Sequence, residues 1–410
     1  MTIPDERRWA VLALVFAARV VMAAQLQSVG ALGAALLDDP ALGLGYGTLG
    51  LLIGAYLLPG IFVALPAGQL ALRLGERRMV LLGLGLVILG GLGLPLAPDI
   101  GMALAARTVS GAGGALLNVA LSAMVMRRFQ GASLAPAMGV FLAGYPLGLA
   151  GALVTLPLGA AAFSWRAALM VLMVPAGLTF GAAALLLDRR RSLASAGRQV
   201  AGSTAMLGLA AGEMAPVAAA GVAWGAHNAA FAILLGFAPA LLVEQGASAG
   251  MAGAVASLVG WISIPLLPFG GAIMERTGHP QGASMACLFS AALVVVALMA
   301  GTLPPVAAML AAGLLLTPPA AVLVSLPARV VPAERQPRAM GLFYTLFYAC
   351  MAVLPPLAGL SRDASDFQAA PILVAAALLA AAGLALTAYG ASAARLRPGP
   401  ADPGPVIPRR

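Results

Sequence analysis

Gly68-Gln69-Leu70-Ala71-Leu72-Arg73-Leu74-Gly75-Glu76-Arg77-Arg78 and Gly271-Ala272-Ile273-Met274-Glu275-Arg276-Thr277-Gly278-His279 share the pattern G-x-x-x-[acid]-R-x-G, with Leu72 standing at the acidic position in the first copy. Each is a short polar break between long apolar runs. A loop pattern repeated once in each half of a chain points to two related helical units. Outward from these breaks, charged or Pro/Gly-rich punctuation divides the chain into twelve apolar runs. They lie near 9–32, 46–71, 78–97, 101–126, 134–161, 165–187, 214–242, 249–274, 281–301, 304–327, 338–360 and 368–391. One helical crossing of a bilayer needs about 20 apolar residues. The sequence therefore predicts an all-α membrane protein with twelve transmembrane helices in two pseudo-symmetric six-helix bundles. Residues 1–187 form the first bundle, 188–212 a cytoplasmic linker, 213–391 the second bundle and 392–410 a disordered cytoplasmic tail.

Composition agrees. The 410 residues are 61% hydrophobic and 9% charged, whereas a soluble chain carries roughly 25% charged residues. Lipid is the natural cover for the surface that remains. The 50 glycines and 30 prolines fall mainly inside apolar runs, where membrane helices tolerate them. The formal charge of +9 is not a nucleic-acid signal, because its distribution follows topology. All 23 basic residues are arginine. With a cytoplasmic N-terminus, 19 of the 23 lie on the inside, among them Arg7, Arg8, Arg77, Arg78, Arg127, Arg128, the 189–191 run, Arg276 and Arg335. Arg166 and Arg362 lie outside, alongside Asp38, Asp39, Asp99, Glu244, Asp363 and Asp366. Such an arginine bias predicts an N-in, C-in orientation. Arginine without lysine, among many alanines and glycines, suggests a bacterial source and hence the cell inner membrane. The first run lacks an A-x-A cleavage pattern and reads as a retained helix. Cys287 and Cys350 form no CxxC pair, so no disulfide framework or metal site is expected.

The two loop motifs resemble the hallmark of the major facilitator superfamily between its helices 2 and 3, with a weaker copy between 8 and 9. Arg107-Thr108-Val109-Ser110-Gly111-Ala112-Gly113 is similar to that family's R-x-x-x-G-x-G motif. Trp165-Arg166 and Pro332-Ala333-Glu334-Arg335 before Met340-Gly341 add to the likeness, which spans nearly the whole chain. Runs one and four, with Phe16-Ala17-Ala18-Arg19 and Gln25-Leu26-Gln27-Ser28-Val29-Gly30, are similar to the cyanate-permease-like branch, associated with small anions. The resemblance implies a cavity lined by helices 1, 4, 7 and 10. It also implies a cytoplasmic gate at Gly68, Arg73, Gly75 and Arg77 in the first copy, and at Glu275, Arg276 and Gly278 in the second. Leu72 leaves the first copy without its usual acid.

Ionisable groups at bilayer depth cost about 2.5–3.5 kcal/mol each on insertion scales and are functional candidates by default. Arg19 lies ten residues into run one, about 15 Å along a helix, and Arg107 lies in run four. His227 and Asn228 lie near the middle of run seven. No acid falls inside a run, and Glu213 sits at the edge of run seven. An unpaired guanidinium offers bidentate donors to an oxyanion. Arg19 and Arg107 are therefore candidate clamps for an anionic substrate, with Gln25, Gln27, Asn118, Trp224, His227, Asn228, Tyr344 and Tyr348 as further contacts. Tyr145 and Trp261 are weaker candidates. Each has a plainer alternative: Arg107 could hydrogen-bond backbone carbonyls, and His227 and the tyrosines could simply pack. The Gly111–Gly114 cluster suits close helix packing, and Thr317-Pro318-Pro319 should break or kink run ten.

The sequence thus predicts a monomeric transporter of a small anion, inorganic or a short organic acid, moved by alternating access. His227, with an ordinary pKa near about 6.5, is the candidate for a coupling proton; an exchanged counter-anion or uniport fits equally. Export of drug-like neutral or anionic compounds is the alternative, although the acids common in cation exporters are missing. A receptor or scaffold is disfavoured because no soluble domain is appended. No Ser/His/Asp set, metal cluster or cofactor motif suggests an enzyme, and no nucleic-acid partner is expected.

Overall fold

The computed structural model describes residues 5–129, 134–187, 209–332, 335–365 and 367–396. Most of the expected linker (188–208) and tail (397–410) lie outside these residues. The chain forms α1 (Asp5–Ala31), α2 (Gly33–Leu37), α3 (Tyr46–Leu74), α4 (Glu76–Gly93), α5 (Ile100–Arg128), α6 (Leu134–Ala162) and α7 (Trp165–Leu186). It continues with α8 (Ala211–Glu244), α9 (Ala249–Arg276), α10 (Pro280–Met299), α11 (Pro305–Ser325), a 3-10 turn (Leu326–Arg329), α12 (Gln336–Ser365) and α13 (Ala370–Ala394). Among the described residues, eleven helices are long and apolar enough to cross a membrane. The remaining long helix, α4, is 18 residues and opens on Glu76-Arg77-Arg78. Apolar side chains such as Leu178, Leu185, Leu293 and Phe62 are 70–87% exposed. Soluble monomers do not present such surface; lipid accommodates it.

Local chemistry sets the helix ends. Asp99, Ser164 and Ser248 accept from the backbone N–H three residues on, at 2.9, 3.1 and 3.2 Å, satisfying donors that a helix start leaves free. Glu213 does the reverse, accepting from Ala210 N at 3.0 Å. In the two repeated loops, Gly75 (φ 80°) and Gly278 (φ 71°) take left-handed conformations, which explains the final glycine of the motif. Of the break or kink expected at Thr317-Pro318-Pro319, the break is not seen: α11 runs through it. Thr317 Oγ1 donates to the Gly313 carbonyl at 2.7 Å and lies 2.8 Å from Ser263 Oγ, tying the segment to α9.

Packing divides the helices into α1 with α3–α7 and α8–α13. Between these sets the most extensive contacts are α3 with α12 and α6 with α9. These contacts are unusually close. A Cβ on Gly54 would collide with the Ala352 carbonyl oxygen, one on Gly50 with that of Pro355, and one on Gly253 with that of Leu153. Among the described residues, hydrogen bonds that cross the divide lie at mid-depth or at the end bearing Asp39, Glu244 and Asp363 (the acidic end). There Tyr46 Oη donates to Glu244, and Asp363 accepts from Tyr46 N at 2.9 Å and Gly47 N at 2.6 Å. Arg362 lies 3.8 Å from Glu244 and over the Tyr46 ring at 5.2 Å. At the arginine-rich end, Arg128–Glu76 (2.6 Å), Arg329–Glu275 (2.6 Å) and Arg335–Glu213 (2.9 Å) each stay within one bundle.

Candidate functional site

Arg19 projects from α1 across α6, and Gly144 makes room for it: a Cβ there would sit 3.2 Å from the Arg19 Cβ and Cγ. Three residues before Gly144 and one after it, Phe141 and Tyr145 carry the guanidinium over their rings, at 4.6 and 5.1 Å from Cζ. Nη1 donates to Asn118 Oδ1 on α5, and Asn118 lies beside the Tyr348 hydroxyl on α12. The phenols of Tyr145, Tyr344 and Tyr348 are within electrostatic reach of the charge. The Arg19 Nε is buried with no acceptor. Arg19, Asn118, Tyr344 and Tyr348 are thus brought together, with Tyr145 promoted to the centre and Phe141 as a member that the sequence reading missed. Its i, i+4 spacing from Tyr145 was the available signal.

Arg107 is different, and its expected part in an anion clamp is corrected. Its side chain is fully buried. Nε donates to Leu52 O at 3.0 Å, Nη1 to Gln25 O at 2.7 Å and Ser28 Oγ at 3.4 Å, and Nη2 to Leu26 O at 3.0 Å. Tyr56 covers a face, its ring 4.8 Å from Cζ. Hydrogen bonds to a charged group contribute about 1.5–3 kcal/mol each, against an insertion cost of about 2.5–3.5 kcal/mol. Several such bonds hold the charge without a bound anion. Arg107 is a brace joining α1, α3 and α5. The glycines that follow it serve close approach: Gly111 abuts the Tyr56 backbone and Gly113 the Gly83 carbonyl.

The two glutamines separate. Gln25 is wholly buried beside Gly91 and Met173, and neither of its amide atoms has a partner; it is not the cavity wall expected of it. Gln27 donates to Leu235 O at 2.9 Å, from α1 to α8. With Gly30, Tyr145, Asn228 and Phe231, it lines a cavity of about 20 Å³, about the room one water needs.

His227 is 5% exposed. Its Nε2 lies 3.0 Å from the Leu316 carbonyl; a carbonyl only accepts, so Nε2 carries the hydrogen. Nδ1 is buried without a partner, as is Trp224 Nε1. The two rings stack at 5.6 Å and 9°, and Trp224 also stacks on Phe343 and Phe347. His227 therefore faces α11 and not the Arg19 cage, while Asn228, whose Nδ2 donates to Trp224 O at 2.8 Å, reaches the small cavity. Trp261 is 44% exposed on the outer face of α9 and takes no part.

Of the expected gate residues, Gly68 and Arg73 lie within α3, with side chains outside those described. Gly75 and Gly278 are turn residues, and Arg77 Nη2 donates to Ala184 O at 3.0 Å, capping the end of α7. Glu275 pairs with Arg329, both side chains being largely exposed, and Arg276 is exposed at the end of α9. The acidic-end latch of Tyr46, Glu244, Arg362 and Asp363 was not anticipated. Its residues read only as topology markers until α3 and α12 are known to touch. Nearby, Asp39 accepts from Trp165 Nε1 at 2.7 Å and Arg166 Nη1 at 2.6 Å. These bonds, the Trp165 bond foremost, with one from Ala41 N, hold its carboxyl below the usual aspartate range.

Comparison with curated proteins returns no match. The sequence profile of the Major Facilitator Superfamily matches residues 11–226 and again 222–409, nearly the whole chain. The fold, the multi-pass apolar helices and this twofold match make the chain a member of the Major Facilitator Superfamily, a membrane transporter.

Proposed function

We propose that the protein moves a small anion, inorganic or a short organic acid, across a bacterial inner membrane by alternating access. In this reading α4 also crosses, giving twelve spans, and both termini are cytoplasmic, as the arginine distribution argues. The acidic end is then the outer face, and its latch closes the outward path in this conformation. The observation that carries the reading is Arg19: a guanidinium at bilayer depth, with an unpartnered Nε, tyrosines around it and, among the described residues, no acid paired with it. A positive group so placed is discharged most cheaply by an anion. Similarity of runs one and four to the cyanate-permease-like branch points the same way.

The test is uptake into proteoliposomes. Arg19→Ala is expected to abolish anion uptake while the protein elutes as wild type on size exclusion; normal uptake ends the proposal. The apolar part of the cavity lining, Leu26, Ile53, Leu149, Phe231 and Met351, favours a second reading, export of drug-like neutral or anionic compounds. That reading requires Arg19→Ala to retain efflux of neutral compounds.

A further inference from the structure

We infer that the cargo is a short monocarboxylate, held by both oxygens on the Nε–Nη2 edge of Arg19. The inference rests on the anion reading above and narrows it.

Charge comes first. Arg107 is engaged by backbone carbonyls, and His227 is sealed against α11. Arg19 is left as the cation of the cage, so the site offers one positive charge. A dianion would bring a second, uncompensated charge into a low-dielectric interior, where desolvation costs more than the attraction returns.

Shape comes next. The Nη1 edge of the guanidinium is taken by Asn118, and its central carbon lies over the rings of Phe141 and Tyr145. The edge that remains is Nε–H with Nη2, and neither nitrogen has a partner among the described residues. Two parallel N–H donors in one plane match the two oxygens of a carboxylate. A tetrahedral oxyanion on this edge carries further oxygens out of the plane, towards the rings; a halide uses one donor at a time. The hydroxyls of Tyr145, Tyr344 and Tyr348 can donate to the remaining lone pairs. Tyr344 and Tyr348 come from α12, so the bound anion touches both bundles.

Size follows from the neighbouring space. Tyr145 is shared between the cage and the cavity of about 20 Å³ lined by Leu26, Gln27, Leu149, Asn228, Phe231 and Met351. That volume is close to what one water takes, so the substituent next to the carboxylate is small.

The experiment is ligand-induced thermal stabilisation and proteoliposome uptake with acetate, propionate, succinate, sulfate and chloride as probes. Acetate and propionate are expected to bind at least about ten-fold more tightly than the other three. Arg19→Lys, which keeps the charge but loses the fork, is expected to lose about ten-fold or more in acetate affinity. Tyr344→Phe, which removes only the hydroxyl, tests the site without threatening the fold and should lose about five-fold, the worth of one hydrogen bond. Succinate, sulfate or chloride binding as tightly as acetate overturns the monocarboxylate assignment and leaves the anion reading intact. Wild-type acetate affinity in both variants overturns the placement on Arg19. Failure of every anion to bind removes the anion reading, and this inference with it.

Discussion

The side-chain amide of Gln27 donates to the carbonyl oxygen of Leu235 at 2.9 Å, a bond from α1 of one bundle to α8 of the other. Both groups are buried, so the bond contributes about 1 kcal/mol to whichever state holds it. Gln27→Ala should shift the balance towards the outward-open state by about five-fold. Ala232→Cys, placed on the cavity wall in a Cys287→Ser, Cys350→Ser background, reports the shift. Its labelling by an impermeant maleimide from the acidic side should accelerate several-fold. Unchanged labelling would show that the bond does not distinguish the two states.

Arg107 as a brace makes a prediction opposite to that for Arg19. Arg107→Met removes the fan of donors to Leu52, Gln25, Leu26 and Ser28 and should cost about 2 kcal/mol or more in stability. Anion affinity of the folded fraction should stay within about two-fold of wild type. A ten-fold loss of affinity with normal thermal stability would return Arg107 to the binding site.

Asp39 links stability to acidity. Its carboxyl is held below the ordinary aspartate value by the bond from Trp165, then by Ala41 and Arg166. The charged form is the one that stabilises the fold. Its contribution is complete above the unfolded pKa of about 3.9 and is lost as pH falls through the lower folded value. The Tm gap between wild type and Asp39→Asn should be constant from pH 7 to about 5 and narrow below about 4. A gap that widens in acid contradicts the assignment.

His227 holds its hydrogen on Nε2 towards Leu316 and presents Nδ1 as an unpartnered acceptor. If a proton accompanies the anion, that nitrogen can take it only in a state that frees the ring from α11, since here it is buried away from Arg19. His227→Gln keeps a donor for Leu316 and removes the titration. An imposed pH gradient should then no longer drive accumulation, while exchange persists. Accumulation at the wild-type level places coupling elsewhere.

The apolar runs, the loop repeat and the arginine asymmetry were legible because the bilayer imposes them directly on composition. Arg19 was legible for the same reason, since a cation at that depth has few excuses. Arg107 was not, because its partners are backbone carbonyls, which no side-chain pattern displays. Gln25 and Gln27 were grouped as equals, yet two residues apart on a helix they stand roughly 200° apart. One faces the interior of its bundle and the other the seam. The latch escaped because Asp363 acts on the N–H groups of Tyr46 and Gly47, and only the meeting of α3 with α12 makes neighbours of residues so distant in sequence.

The glycine contacts along α3–α12 and α6–α9 set how the two halves can part. Gly50, Gly54 and Gly253 press bare backbone against the carbonyls of Pro355, Ala352 and Leu153, while Gly47 and Gly60 seat the side chains of Leu360 and Tyr348. A seam this close has no tolerance for a wedge. A methyl group at Gly54 or Gly253 would run into the carbonyl oxygen of Ala352 or Leu153, so in the alternating-access reading alanine at either position should favour the state in which the two halves stand apart.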